Sequence, residues 1–242
     1  MLRDRVDWLK ESLYFDLGRF DYEPALVIQK KLHQLRINHK IPDSLILVEH
    51  PAVITIGKSG NPANLLVSAD ILKRKGIEIY RIERGGDITF HGPGQLVGYP
   101  IFYIKQTLAG IRGMIEKLES VLIQALTDFG INAVTKPKLT GVWVGKEKVA
   151  SIGIAVKKWV TFHGFALNVT TDLTYFDLIR PCGLKDVKMT SIEKISGKRV
   201  DLRVVKERIL LNGEKIFETK FRSKKFSAEF AAQPDLFDPS FR

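Results

Sequence analysis

Apolar residues return along this chain at two periods that take turns. Over residues 24–38 they recur every three to four positions, with Ile28, Leu32 and Leu35 on one face. Pro24 suits a first turn, so this stretch predicts a helix. Two short strand-like runs follow at 44–48 and 53–56, parted by His50-Pro51. Ser68 is placed to cap a short helix ending at Gly76, ahead of a strand at 77–82. Beyond a glycine-rich stretch lies an apolar run at 99–104. The longest helical pattern covers 107–129 and stops at Gly130, its opening turns weakened by Gly110 and Gly113.

Strict alternation then takes over. Residues 141–144 and 148–156 flank the turn Gly145-Lys146-Glu147 as a hairpin, and a further strand at 160–169 follows. Near the end, Val205, Ile209, Ile216, Phe217 and Phe221 form a helical stripe interrupted at Asn212-Gly213. The tail from about Ser227 holds two prolines and scattered phenylalanines and reads as loosely attached. Strands and helices mixed, with hairpins dominating, predict an α+β fold rather than a doubly wound parallel sheet. Residues 1–200 read as one domain, with 201–242 its C-terminal helical appendage and tail.

Composition narrows the classes. With 242 residues, 45% apolar and 27% charged, the chain is long enough to bury a sizeable core. No apolar run reaches membrane-spanning length, and residues 1–10 alternate charges without a signal-like core, which predicts a cytoplasmic protein with no membrane partner. Lys and Arg outnumber Asp and Glu by 38 to 27, a net charge of +11 that favours an acidic partner. Arginine-rich blocks and zinc-finger spacing are absent, which argues against nucleic acid. Six lysines and one acid, Glu147, lie between Lys136 and Trp159, either a solvated face or a docking surface. The one cysteine, Cys182, rules out an intramolecular disulfide and a cysteine-cluster metal site.

The chemistry concentrates in a few places. Five glycines fall between Gly85 and Gly98, where average usage of about 7% gives about one. Such a loop can bring its amides close to a bound polar group, or it can be a pair of tight turns. It lacks both the Gly-Lys-Ser/Thr of a phosphate loop and a Gly-x-Gly-x-x-Gly pattern. His91 sits within it; His50 and His163 lie near bends, and the five histidines show no metal-ligand spacing. Cys182, between Pro181 and Gly183, stands on a sharp turn that suits a reactive thiol, which needs a nearby cation or helix N-terminus to ionise. Lys148 begins an apolar, small-residue strand; a lysine entering a cleft there can exchange a proton with a thiol and later serve as base.

Four segments carry a family likeness: Arg84-Gly-Gly-Asp-Ile-Thr-Phe-His-Gly-Pro-Gly-Gln95, Lys148-Val-Ala-Ser-Ile-Gly153, His163-Gly-Phe-Ala-Leu-Asn168 and Pro181-Cys-Gly-Leu184. Together with Val48-Glu-His-Pro51, Thr55-Ile-Gly-Lys58 and Thr190-Ser-Ile-Glu193, they resemble the motifs of the lipoyl(octanoyl) transferase family over residues 14–195. The resemblance implies a mixed, mostly antiparallel sheet flanked by helices, like the catalytic domain of biotin and lipoate protein ligases. It implies transfer of an octanoyl group from octanoyl-acyl carrier protein to a lysine of lipoyl domains, those of 2-oxoacid dehydrogenases and the glycine cleavage H protein. Cys182 matches the acyl-thioester nucleophile and Lys148 its acid and base. Arg84, Gly85, Gly86, Asp87, Ile88, Thr89, Phe90 and His91, with Ser151, Ile152, Gly153, Gly164, Phe165 and Ala166, match segments lining the acyl and carbonyl site. Phe90 stands where a tyrosine is common. No metal, nucleotide or redox cofactor is implied.

Three rivals share parts of this picture. An ATP-dependent lipoate or biotin protein ligase needs no cysteine. An amidotransferase would move octanoyl groups between protein lysines through the same thioester. A non-catalytic binding protein would use the +11 charge alone. Acidic donor and acceptor proteins suit the basic surplus, with Lys146, Lys157 and Lys158 as docking candidates.

Overall fold

A computed structural model describes residues 11–105, 109–181 and 187–226. In chain order its elements are β1 (Glu11–Arg19), α1 (Tyr22–Ile37), β2 (Ser44–Glu49), β3 (Val53–Ile56), α2 (Ala69–Arg74), β4 (Glu78–Arg81), β5 (Ile88–His91), β6 (Gln95–Ile101), α3 (Gly110–Thr127), β7 (Val134–Lys136), β8 (Leu139–Val144), β9 (Glu147–Lys157), β10 (Val160–Asn168), α4 (Ile192–Ser196), α5 (Leu202–Phe217) and β11 (Lys220–Ser223). The main sheet runs β11-β1-β2-β6-β10-β9-β8-β7, and a smaller one runs β4-β3-β5. In the main sheet β1 is parallel to both its neighbours and the other pairs are antiparallel.

Both faces of the main sheet are covered, which is why β2 is an unbroken apolar run. Ile46 and Val48 pack with Ile28, Leu32 and Leu35 of α1, the three residues expected on one helix face. Leu45 and Leu47 turn the other way, toward Met114, Leu118, Val121 and Leu122 of α3 and Val205 and Ile209 of α5. A third cluster, with Ile54, Ile88, Phe90 and Phe176, fills the space under the small sheet. This is the mixed, mostly antiparallel sheet with flanking helices.

Several local expectations change. The hairpin turn is Gly145-Lys146 only, because Glu147 already pairs with Val144. Strand β6 starts earlier than the apolar run, at Gln95, and ends at Ile101. Helix α5 continues through Asn212-Gly213: Asn212 Nδ2 donates to Asp128 and back to the Arg208 carbonyl, and Gly213 leaves room for the Phe221 ring. Phe221 belongs to β11, beside β1, and not to the helical stripe. The expected start of the helix at Thr107 and the tail from Ser227 lie outside the described residues.

Candidate active site

A cavity of about 270 Å³ lies where the segment around Arg84 meets β8, β9 and β10. Arg84, Gly85, Gly86, Asp87, Ile88, Thr89, His91, Lys148, Ser151, Ile152, Gly153, Gly164, Phe165 and Ala166 all line it. Residues more than 60 positions apart in sequence thus share one wall. Phe90 is the exception among the described candidates. Phe90 is fully buried under the small sheet, its ring stacked on Tyr175 at 4.7 Å between ring centres. Cys182 lies outside the described residues.

The Arg84 loop is held by main-chain bonds to two neighbours. Lys58 N–H donates to the Arg84 carbonyl and Gly85 N–H to the Ile154 carbonyl, each at 3.0 Å. A Cβ on Gly153 would stand 2.8 Å from the Gly85 carbonyl oxygen, so the loop and β9 touch only because that residue is glycine. Arg84 is buried, and its guanidinium donates to the Thr55 carbonyl at 2.8 Å and the Thr55 hydroxyl at 3.0 Å. Asp87 accepts the N–H groups of Asn61 and Ile88 and bonds the Asn64 amide, so its carboxylate organises the turn it belongs to.

Lys148 is 4% exposed, unusual for a lysine. Its chain crosses Gly141, where a Cβ would lie 2.5 Å from Lys148 Cε. Gly141 is in turn fixed by its N–H donating to Glu119 of α3 at 2.9 Å. Lys148 Nζ stands 5.3 Å from the centre of the Trp143 ring, its cross-strand partner in the β8–β9 pair. On the other edge, Lys148 N–H donates to the Lys188 carbonyl at 2.8 Å, and its carbonyl accepts from Thr190 N–H at 2.9 Å. The segment bonded to Lys148 is therefore the one that emerges from residues 182–186. Pro181 and Val187 share a hollow with Glu147, Lys188 and Met189.

Burial disfavours the charged form of three histidines around the site. Loss of hydration pushes His91 down to about 3 and His50 to about 4, and lowers His163. His163 Nε2 faces the Glu83 carboxylate at 3.4 Å, and this contact holds Glu83 down to about 2. Among the described residues no cluster of His, Cys, Asp or Glu is arranged to hold a metal ion, and no helix is long and apolar enough to cross a membrane.

Tyr22, Val97, Tyr99, Leu139, Thr140 and Trp143 also line the cavity, though no motif singled them out. Trp143 had a usable signal, since a short hairpin ending in Lys148 sets its partner within a residue. The others come from elements that meet only in the fold. Lys146 and Lys158 flank β9 at opposite ends, roughly 40 Å apart along the strand at ~3.3 Å per residue. Only Lys146 is at the Lys148 end.

The fold and cavity define a class: the model of the lipoyl protein ligase A/B catalytic domain matches residues 21–212. Solved structures with this fold include lipoate-protein ligase A bound with ATP, at TM-score 0.72, 16% identity and 92% of each chain. Another is a bi-partite lipoate protein ligase from Thermoplasma acidophilum, at TM-score 0.71 and 16% identity, covering 92% of this chain and 90% of that one. Within the class the sequence relatives are more specific. An octanoyltransferase of Syntrophobacter fumaroxidans is 44% identical over 216 residues, 89% of this chain and 95% of the relative. One of Caldicellulosiruptor saccharolyticus is 48% identical over 208 residues, 85% of this chain and 88% of the relative. The chain belongs to the octanoyltransferase family.

Proposed function

We propose that this acyltransferase carries an octanoyl group from octanoyl-acyl carrier protein to a lysine of a lipoyl domain, by way of a thioester on Cys182. Lipoyl domains of 2-oxoacid dehydrogenases and the glycine cleavage H protein are the acceptors. One observation carries the reading: a lysine buried in the cavity is paired, main chain to main chain, with the segment that follows Cys182.

Lys148 takes the proton of the Cys182 thiol, and the thiolate attacks the donor's thioester carbonyl. The tetrahedral adduct re-forms the carbonyl as the carrier thiolate departs and takes the proton from Lys148, leaving S-octanoyl-Cys182. The acceptor amine then attacks, Lys148 removes its proton, and the Cys182 thiolate leaves. Both tetrahedral oxyanions need a donor. On β9 the Ala150 and Ile154 carbonyls are directed to the edge facing the cavity. By strand alternation the Ile152 N–H shares that edge, beyond the last β8 partner at Ala150, and is the donor we assign. The octanoyl tail, at ~0.8 kcal/mol per buried methylene, contributes on the order of 5 kcal/mol against Ile88, Ile152, Phe165 and their neighbours. A tail two carbons shorter loses about 1.5 kcal/mol, so chain selection is graded.

Intact mass spectrometry after mixing enzyme with octanoyl-carrier, without ATP, tests this. An octanoyl adduct is expected on the enzyme and none on Cys182→Ser, with subsequent transfer to the apo acceptor. Transfer that requires ATP, or that survives Cys182→Ser, refutes it.

A further inference from the structure

A file of buried polar groups joins the two sides of the cavity, and its direction is fixed at both ends. Phe90 and Thr190 present main-chain carbonyls, which only accept. The group 3.2 Å from the Phe90 oxygen is therefore the Gln95 amide nitrogen, and the group 3.0 Å from the Thr190 oxygen is the Asn168 amide nitrogen. With those two orientations set, Gln95 Nε2 donates to Asn168 Oδ1 at 2.8 Å, and Gln95 Oε1 is left to accept from His91 Nδ1–H at 2.8 Å. His91 Nε2 is then an acceptor, and it faces the Thr55 hydroxyl at 3.5 Å. That hydroxyl already accepts from Arg84 Nε at 3.3 Å and Nη2 at 3.0 Å, so its own proton is available to His91. Thr55, Gln95, Asn168 and Thr190 are each no more than 1% exposed, so water does not substitute for a missing link.

The far end of this file is the Thr190 carbonyl, and the N–H of the same residue holds the Lys148 carbonyl. We propose that Gln95 and Asn168 are positioning residues: through Thr190 they clamp the segment following Cys182 against Lys148 and key both to the Arg84 loop. The inference rests on the reading of Lys148 as acid and base. Neither amide needs to touch substrate. Each holds residues 187–190 in register with Lys148, so its loss falls on turnover and not on donor binding.

Asn168→Asp is the discriminating change, because it keeps the shape and replaces the donor to Thr190 with an oxygen. We expect kcat for octanoyl transfer to fall at least tenfold with KM for the octanoyl donor within twofold. The variant-to-wild-type rate ratio rises as pH is lowered, since a protonated carboxyl regains a donor. Gln95→Glu, assayed the same way, behaves alike. Unchanged kcat, or a rise in KM with kcat held, overturns the proposal, as does a ratio that stays level with pH. Should the acidic variants fail to fold, Asn168→Ser, which shortens the donor without adding charge, is expected to lose at least threefold in kcat, and wild-type kcat in it overturns the proposal. Lys148→Ala run alongside separates the two readings. Activity surviving that variant sinks the acid–base assignment, whereas its loss beside a fully active Asn168→Asp sinks the clamp alone.

Discussion

At Gly141 a Cβ would meet Lys148 Cε at 2.5 Å and the Ala150 carbonyl at the same distance, with φ at 121° where side chains are rarely accommodated. Gly141→Ala therefore displaces the lysine chain or opens the β8–β9 pair. Either movement shifts Nζ by a fraction of an ångström to an ångström, enough to cost on the order of a hundredfold in rate. Steady-state assay should show kcat reduced at least tenfold, together with a stability loss of about 1–3 kcal/mol from overpacking. That Lys148 enters a cleft was legible from its place at the start of an apolar, small-residue strand. The dependence on Gly141 was not, since nothing in a Leu-Thr-Gly-Val run says that a lysine seven residues on will lie across it. Phe90 shows the reverse case: the motif includes it, yet its ring packs on Tyr175 under the small sheet. The Asn168–Gln95 bond joins positions 73 residues apart, and only the sheet order brings β6 and β10 side by side.

Among elements, α3 shows how little of the site's support is local. Its apolar face, with Leu118 buried at 2% exposure, covers β8 and β9 and carries the Glu119 carboxylate that fixes Gly141. Leu118→Ala is expected to lower unfolding free energy by about 2–5 kcal/mol, read from urea denaturation, through lost burial and a residual cavity. Helices α1 and α3 were visible in the sequence because a 3.6-residue period repeats over several turns. By contrast, β1 was invisible. Its hydrophobic alternation is broken, and its two parallel partners are separated from it by tens to hundreds of residues. Helix α5 read as interrupted because Asn and Gly are poor helix formers. Tertiary partners override that preference: Asp128 for Asn212 and the Phe221 ring for Gly213.

The whole molecule carries a pH signature. His33 and His50 are pushed down to about 4 and His91 to about 3, in each case chiefly by burial, and His163 is lowered for the same reason. In the unfolded chain these imidazoles protonate near pH ~6.5. Between there and the native values the unfolded state binds more protons, so stability is full above that pH and is lost progressively as pH falls. Glu83, held at about 2 by its contact with His163, acts in the same direction below the ordinary carboxylate range. Urea midpoints should therefore drop from neutral pH toward pH ~4, and His33→Leu, at a residue that does not line the cavity, should make the slope shallower. A midpoint that stays level over that interval contradicts the neutral, buried state of these rings.

The helices with long apolar stripes, the β-meander, the family and the short motifs could be read before any coordinates, because each rests on residues close together in the chain. Tertiary structure decided which motif residues face the cavity, and it decided that Trp143 and Gly141 flank Lys148 and that Asn168 holds Thr190. Those are contacts between elements remote in sequence. They depend on strand order and register, where a shift of one position turns every side chain to the opposite face.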